Sequence, residues 1–315
     1  MTQQTGTRGT RQGRGLWTWI AMAIALCVAA PSGATPLLYA TGSGGTEISG
    51  FYQVDAATGT ATLLKQYTDL YFYEGGLVYD PTRDVFFATG FNSVTTETSR
   101  LYAIDPVTYA ATEVGAVGAS VGTYGLARNP ITGVIYATGD NTLQSTALYT
   151  IDPTTGAATF VGQNGGSCCT EPFGTRIYGL GFLDDGTLYG NGYYISNPGS
   201  QLWTLNTATG LATAIGSHGL AFGGQGNYGD MVYVDGVLYM AGDSSASAQG
   251  LYSINRTTGA ATLIGQTGAI GRGGLAYRPS TDTPPTPVPE PASLSLLALG
   301  GAGLVVVLRR RRATA

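Results

Sequence analysis

Seven polar side chains are the main candidates for chemistry in this chain, and most of them suit binding. Tyr124, Tyr178 and Tyr228 each precede a glycine in three similar stretches. A tyrosine offers a flat ring with a polar tip, which suits sugars or extended polymers. Four further residues lie close to such stretches: Glu74, His218, Asp230 and Arg272. The set predicts a binding surface for a polar ligand. The alternative is that the tyrosines only fill the mouth of a central channel and bind nothing.

Few residues suit catalysis. His218 is the only histidine, so a serine or cysteine relay with a histidine base depends on it. Glycosidases use two carboxylates that flank the scissile bond, and the predicted inner strands offer only Glu74 and Asp230. We therefore assign no catalytic residue. An extracellular polysaccharide-active hydrolase or lyase on the same surface is the alternative to a non-enzymatic binding module, and a purely structural role is the third.

Neither a metal nor a cofactor is expected. Zinc sites need clustered cysteine and histidine, and only the adjacent Cys168 and Cys169 remain once a leader with Cys27 is removed. No Asp-x-Asp-x-Asp-Gly calcium loop occurs, although calcium binding through loop carboxylates is left open. In an oxidising compartment the two cysteines can form a strained vicinal disulfide, stay reduced or link to another chain.

Composition predicts an all-β body without a nucleic-acid partner. Only 11% of residues are charged and 49 are glycine, which argues against a disordered chain and against a helical one. Residues 35–282 contain 18 acids and 8 bases, a net charge of 8 − 18 = −10. Nucleic-acid binding needs a basic face, and none is visible.

Five similar hairpins follow one another at intervals of 50, 47, 54 and 49 residues. Each has a turn that begins with Asp or Asn and ends with Gly, residues that favour tight turns. Tyr109 replaces that Gly in the second hairpin, so we expect a different bend there. The hairpins begin as "FYQVDAATG", "LYAIDPVTY", "LYTIDPTTG", "LWTLNTATG" and "LYSINRTTG".

A second hairpin precedes each of the later four, which gives four strands in each repeat of about 50 residues. This repeat is typical of propeller blades. The chain begins with a second strand (37–42) and ends with a first strand (273–280), so the two ends complete one shared blade. The sequence predicts a five-bladed β-propeller over residues 35–280, and an open array or two sandwiches are the alternatives. The body resembles secreted WD- or NHL-like repeat proteins, a resemblance that supports the fold only.

Connections of two lengths predict two unlike faces. Turns within the hairpins are short and alike, whereas the other connections are long and varied. In a propeller the long loops share one face around the central channel, and binding usually occurs on loops that a rigid scaffold carries. We therefore expect the ligand on the long-loop face.

The N-terminus predicts a signal peptide over residues 1–34. Three arginines precede the apolar stretch "LWTWIAMAIALCVAA", and small residues follow it, as in secretory signals. We expect a signal helix that signal peptidase removes. A membrane anchor or buried helix is the alternative, and the apolar stretch is short for a membrane span.

The C-terminal residues predict a spacer and a membrane helix. Residues 281–291 are Pro-rich and should form an extended linker. Residues 292–315 contain 17 apolar or small residues, 292–308, just long enough to cross a bilayer, followed by four arginines that favour the cytoplasmic side. A plain C-terminal anchor is one explanation of this pattern.

The order of these elements resembles the PEP-CTERM sorting signal of Gram-negative bacteria. The resemblance includes eight residues: Val288, Pro289, Glu290, Pro291, Arg309, Arg310, Arg311 and Arg312. It implies recognition by an exosortase, transient membrane insertion of the helix, and release or attachment at the cell envelope, often beside exopolysaccharide. We therefore expect an exported binding or structural module whose partners are exosortase, signal peptidase and a surface polymer such as exopolysaccharide.

Overall fold

The computed structural model describes twelve segments of the chain. They are residues 36–43, 49–72, 75–90, 99–118, 122–140, 145–165, 174–194, 197–220, 229–244, 247–268, 270 and 273–279. These residues form twenty strands and their turns, and they include no helix that could cross a membrane. The expected signal peptide (1–34), linker (281–291) and C-terminal helix (292–315) lie outside the described residues.

Twenty strands form five antiparallel sheets of four strands each. Blade 1 contains β1 (Leu37–Ser43), β2 (Ser49–Asp55) and β3 (Ala61–Gln66); blade 2 contains β4 (Leu77–Asp80), β5 (Val85–Gly90), β6 (Arg100–Ile104) and β7 (Ala111–Ala116). Blade 3 contains β8 (Thr123–Arg128), β9 (Ile135–Asp140), β10 (Thr146–Ile151) and β11 (Ala158–Gln163). Blade 4 contains β12 (Thr175–Phe182), β13 (Leu188–Tyr194), β14 (Asn197–Leu205) and β15 (Ala212–Ser217). Blade 5 contains β16 (Met231–Val234), β17 (Val237–Ser244), β18 (Ser247–Ile254) and β19 (Ala261–Gln266), and β20 (Leu275–Tyr277) belongs to blade 1.

The two ends of the body close the ring. β20 pairs antiparallel with β1, with Leu38 opposite Tyr277 and Ala40 opposite Leu275. The inner strands β4, β8, β12, β16 and β20 each contact the next one around the axis. The prediction of a five-bladed propeller with one shared blade is confirmed, since β20 and β1 join the two ends of the body in one sheet.

Five apolar clusters lie between neighbouring blades and stabilise the ring. Strands pack on both faces, which explains why apolar residues occupy both faces of the inner three strands of each blade. The cluster between blades 1 and 2 is aromatic, with Phe51, Phe72, Phe86 and Tyr102 buried in it. Burial of such side chains supplies most of the stability of a domain of this kind.

The outer strand of every blade carries a β-bulge at the same place. The register between the third and fourth strands shifts by one residue beside Phe51, Leu101, Leu148, Leu202 and Leu251. A bulge twists an edge strand and weakens its pairing with another chain. The repeated bulge therefore protects the exposed outer edges of the five blades.

The turn between the third and fourth strands has the same form in all five blades, which corrects one expectation. In blade 1, the Asp55 side chain accepts hydrogen bonds from the backbone N–H groups of Ala57 and Thr58. Gly59 N–H donates to the Asp55 carbonyl oxygen at 2.8 Å. Tyr109 N–H donates to the Asp105 carbonyl in the same way, at 2.9 Å. Tyr109 does so with a φ of 58°, a conformation that costs a non-glycine residue about 1–2 kcal/mol.

The interface between blades 1 and 2, where Tyr109 lies, differs from the other four interfaces. At the other four interfaces a glycine of the outer strand abuts the turn glycine of the next blade; a Cβ added to Gly115, for example, would lie 2.1 Å from the Thr155 carbonyl oxygen. In blade 1 that strand position is Lys65, opposite Phe51 in the register. The Tyr109 ring stacks on the Phe51 ring, with the two ring centroids 5.4 Å apart. The close glycine contact is thus replaced by an aromatic contact where both glycines are missing.

Glycines also allow the inner strands to approach one another around the axis. A Cβ on Gly179 would lie 2.3 Å from the Gly229 carbonyl oxygen of the next blade, and a Cβ on Gly125 would lie 2.4 Å from the Tyr178 carbonyl oxygen. No side chain fits at such distances, so a residue with a Cβ there must push two blades apart.

We predict that Gly179→Ala destabilises the propeller by about 1–3 kcal/mol or more, because the methyl group overlaps backbone atoms of blade 5. Gly122→Ala is the matched control, since a Cβ there meets only Asp140 Oδ2 at 3.9 Å. Denaturant unfolding of both variants measures the difference. Equal midpoints would contradict the proposed close approach.

Candidate functional site

The propeller has two faces that differ in what they offer a ligand. The inner strands begin on the long-loop face, at Leu77, Thr123, Thr175, Met231 and Leu275, and they end on the opposite, short-turn face. The central channel is closed near the first of these faces and open at the second. Each candidate residue is therefore described by the face on which it lies.

Asp230 closes the channel at the long-loop end, where it is 1% exposed. Leu180 N–H donates to its Oδ1 at 2.8 Å, and Leu77 and Leu126 N–H donate to its Oδ2 at 3.1 and 3.5 Å. The N–H of Met231 is a fourth donor. One carboxyl group thus binds backbone of blades 2, 3, 4 and 5.

The same residue also reaches the remaining blade. Its own N–H donates to the Gly273 carbonyl of blade 1 at 3.3 Å. Burial raises the pKa of Asp230 to about 8, while the backbone N–H donors act in the opposite direction. Backbone of four blades surrounds the carboxyl group and the N–H of Asp230 reaches the fifth, so the described contacts of Asp230 join the blades.

His218 is likewise buried between blades. Its Nδ1 lies 2.7 Å from the Gly259 carbonyl oxygen of blade 5, and its Nε2 lies 3.0 Å from the side-chain oxygen Oδ1 of Asn191 in blade 4. A carbonyl oxygen can only accept a hydrogen bond, so Nδ1 carries a proton. Burial lowers the pKa of His218 to about 4, although the bond to Gly259 acts against this. The imidazole is therefore neutral at pH 7 and joins two blades.

Repeat symmetry supports this structural role. The residue after the outer strand is Asn164 in blade 3 and His218 in blade 4, and each donates its N–H to a backbone carbonyl group of the third strand of its blade, at Thr146 and Ser200. Asn164 is buried as well, and its Nδ2 donates to Thr146 Oγ1 at 2.8 Å. A single sequence gave no sign that the histidine occupies a position of inter-blade contact.

Tyr124 and Tyr178 meet on the long-loop face, with ring centroids 4.6 Å apart. The hydroxyl group of Tyr124 donates to Asp140, and Arg176 Nη1 donates to the Tyr178 hydroxyl at 3.4 Å. Arg176 Nη1 also lies 4.0 Å from Asp140 Oδ1. We call these four residues the tyrosine cluster; Asp140 and Arg176 were not anticipated, because nothing in the sequence places the ends of β9 and β12 together.

Exposure differs within the tyrosine cluster. Tyr178 is buried, whereas the side chains of Arg176 and Asp140 are 29% and 40% exposed and Tyr124 is half-buried. The exposed part is an acceptor and a donor beside the edge of an aromatic ring. Such a surface can bind hydroxyl groups and an apolar sugar face at the same time.

The hydrogen bonds of Asp230 align it with two glycines of the inner strands. Asp230 occupies the position of Gly125 and Gly179, because the N–H of its neighbour Met231 is directed to the same carboxyl group as those of Leu126 and Leu180. Gly229 therefore matches Tyr124 and Tyr178, and Tyr228 precedes that position by one residue. The predicted residues that lie outside the described segments are Glu74, Tyr228, Arg272, Cys168, Cys169 and the sorting motif from Val288 to Arg312.

A cavity of about 200 Å³ opens on the short-turn face, opposite the predicted binding side. We call it the funnel. All five inner strands line it, with Leu77, Leu126, Met231 and Leu275 toward its floor. Its rim contains aromatic residues and prolines: Tyr79, Pro81, Pro130, Phe182, Tyr233, Tyr277 and Pro279. The sequence predicts the ligand on the long-loop face, and it does not show that the short turns surround an open channel.

Ion pairs between blades hold the wall of the funnel. Arg128 Nε lies 3.3 Å from Asp80 Oδ1, and Arg83 Nη1 lies 2.6 Å from Asp80 Oδ2. Burial alone would raise the pKa of Asp80. The Arg83 hydrogen bond and the charges of Arg128 and Arg83 together outweigh burial, so the pKa of Asp80 lies below its usual value. Arg278 lies over the Tyr79 ring and contacts Asp84 at 3.1 Å. Side chains of blades 1 and 3 are thus connected to blade 2 near the rim.

Catalytic and metal sites find little support in the described segments. No group of three or more His, Cys, Asp or Glu residues in them is placed to hold a metal ion. Residues 118–122 have the letters Gly-x-Ser-x-Gly, the pattern of a nucleophile elbow, which joins a strand to a helix. Here the stretch connects β7 to β8, two strands, and Ser120 itself lies outside the described residues.

We predict that acid destabilises the propeller less when His218 is replaced by Asn, the residue at the same position in blade 3. Since the pKa in the folded state (about 4) is below the unfolded value of 6.5, the contribution of His218 is complete above pH 6.5. It is lost as the pH falls toward 4, by up to roughly 3 kcal/mol. Unfolding free energies of both proteins at pH 7 and 4.5 measure this, and an unchanged difference between the two pH values would contradict it.

Solved structures of propellers resemble the chain at low identity. The α-L-arabinanase of Cellvibrio cellulosa is 11% identical, with TM-score 0.47, over 74% of this chain and 93% of that one. The putative exo-β-1,3-galactanase of Bifidobacterium bifidum is 15% identical, with TM-score 0.45, over 61% and 70%. TolB of Acinetobacter baumannii is 13% identical, with TM-score 0.44, over 72% of this chain, which spans about half (52%) of TolB.

One sequence family matches, and it concerns the tail. No curated protein matches the chain in sequence. Residues 287–312 match the PEP-CTERM protein-sorting motif, which includes the Pro-Glu-Pro and the arginines singled out above. The chain therefore carries a PEP-CTERM sorting motif behind a five-bladed propeller, which implies exosortase-mediated sorting, export and a location at the cell envelope.

Proposed function

We propose that the protein is an exported, non-enzymatic binding module that holds a polysaccharide on its long-loop face. The point at which the chain leaves the body carries this proposal. β20 ends at Tyr277 and is followed by Arg278 and Pro279 on the short-turn face. The sorting motif begins at residue 287, so the tail is attached to that face.

Tail length limits how far the body can stand from the envelope. Seven residues, 280–286, separate Pro279 from the sorting motif. A Pro-rich chain extends by about 3.1 Å per residue, which gives roughly 20 Å. Attachment through this tail keeps the short-turn face toward the envelope, and the long-loop face is then directed toward polymers in the surroundings.

The chemistry of the tyrosine cluster supports a carbohydrate ligand. Arg176 donates and Asp140 accepts hydrogen bonds, so that neighbouring hydroxyl groups of a sugar find both partners. Tyr124 offers the edge of a ring beside them. A polysaccharide repeats such groups, and weak contacts at one sugar unit then add along the polymer.

Catalysis is less well supported than binding. Hydrolysis of a glycosidic bond needs two carboxyl groups on either side of it. Asp230 is enclosed by backbone N–H groups, and the residues that line the funnel include one carboxylate, Asp184. The non-enzymatic proposal rests on this placement of the described acids.

We predict that Arg176→Gln weakens polysaccharide binding about tenfold or more, because a charge-assisted hydrogen bond contributes roughly 1.5–3 kcal/mol. A glycan and exopolysaccharide binding screen of the purified protein first identifies the polymer, and titration then compares the variants. Arg256→Gln is the matched control, since Arg256 lies over Tyr233 on the short-turn face. We expect the control to bind as the unmodified protein does.

Two results would contradict the proposal. An equal loss in both variants would place the ligand elsewhere than the tyrosine cluster. Absence of binding to every polymer by a folded protein would favour the purely structural role. Release of shortened glycans from a bound polymer would instead favour the hydrolase.

A further inference from the structure

We infer that the Pro-rich segment 280–288 docks in the funnel of its own propeller. Three observations lead to this occupant: the place where the chain leaves the fold, the residues that line the funnel, and the composition of the segment itself. The inference goes beyond the proposed function, since it concerns the opposite face and does not depend on a polysaccharide ligand.

Blade 1 differs from the others at the rim of the funnel. In blades 2 to 5 the inner strand continues through a turn into the second strand, and Pro81 and Pro130 lie in two of these turns. β20 has no such continuation, because its partner β1 comes from the other end of the chain. Pro279 itself lines the funnel, so the segment is joined to the body at the rim.

The lining suits an extended Pro-rich chain. Domains that bind polyproline II segments use grooves lined by aromatic rings, onto which the proline rings pack. Tyr79, Tyr233 and Tyr277 provide such rings around the mouth. The Tyr79 hydroxyl group donates to Asp84, and those of Tyr233 and Tyr277 can donate to carbonyl groups of a docked segment. The apolar floor, with Leu77 and Met231, suits the proline rings as well.

The segment has the matching composition. Residues 280–288 read "STDTPPTPV", with prolines at 284, 285 and 287 and a single charge, Asp282. Proline fixes φ, so that little conformational entropy is lost on docking. Arg128 and Asp184 are the charged residues that line the funnel, and Arg128 is paired with Asp80, so the proline rings and not Asp282 account for the fit.

Attachment makes docking possible at low intrinsic affinity. The segment is joined to the rim by Pro279, so its effective concentration at the funnel is of millimolar order or higher. A contact too weak to hold a free peptide then keeps the segment in place. Docking would fix where the Pro-Glu-Pro of residues 289–291 leaves the body and hold the propeller in one orientation above the envelope.

Hydrogen exchange followed by mass spectrometry tests the inference on the full-length protein in detergent. We expect the amides of residues 280–288 to exchange at least tenfold more slowly than those of a free peptide of the same sequence. Replacing Pro284, Pro285 and Pro287 with serine should remove this protection and raise exchange in residues 231–236 of the funnel wall. These substitutions lie outside the propeller and leave its core intact.

A change on the other side of the contact completes the test. Tyr233→Ala should release the segment, whereas Phe160→Ala, an aromatic residue 56% exposed on the outer edge, should not. Exchange of the segment at the rate of the free peptide would overturn the inference. So would protection that persists in Tyr233→Ala, which means another surface, or protection that falls on dilution, which means a second copy.

Discussion

The carboxyl group of Asp230 lies where the five inner strands come closest to the axis, and the rest of the structure depends on how that point is filled. Its two oxygens accept N–H groups from Leu77, Leu126 and Leu180, and its own N–H reaches Gly273. Inner strands expose unpaired N–H groups toward the axis, and a buried unpaired group costs about 1–3 kcal/mol. One acidic side chain satisfies several of them at once.

Glycines at the matching positions of the other four blades make room for the Asp230 side chain. Gly76, Gly125, Gly179 and Gly274 occupy the positions that match Asp230, and each abuts backbone of the next blade. Four glycines leave room for a single side chain at the centre. The channel is therefore closed on one side and open on the other, which separates the tyrosine cluster from the funnel.

Under the proposed function, this separation gives the two faces different roles. The sorted tail leaves from the funnel side, and the half-exposed Tyr124, Arg176 and Asp140 lie on the other. A module attached at one face and binding at the other does not obstruct its own ligand. The aromatic rim of the funnel is then available to the segment that begins at its edge.

The repeats predicted the architecture because each blade repeats the same local signals. Alternating apolar residues, Asp or Asn turns and complementary half-blades at the two ends all act over short distances, and the sorting motif is a contiguous stretch. What could not be predicted depends on contacts between blades. His218 and Asp230 looked like exposed polar residues, but only the ring brings Gly259 and Leu180 to them. Tyr109 keeps the common turn for the same reason, since Phe51 of the next blade supports its ring.

The most direct test of this account is the unfolding free energy of Asp230→Ala beside that of Asp69→Ala, in which an exposed acid is removed. The account predicts that Asp230→Ala loses at least about 3 kcal/mol, because several buried N–H groups lose their acceptor at once. It predicts a change within about 0.5 kcal/mol for Asp69→Ala. An Asp230→Ala protein as stable as the control would show that the inner ring closes without the carboxyl group, and would contradict the account.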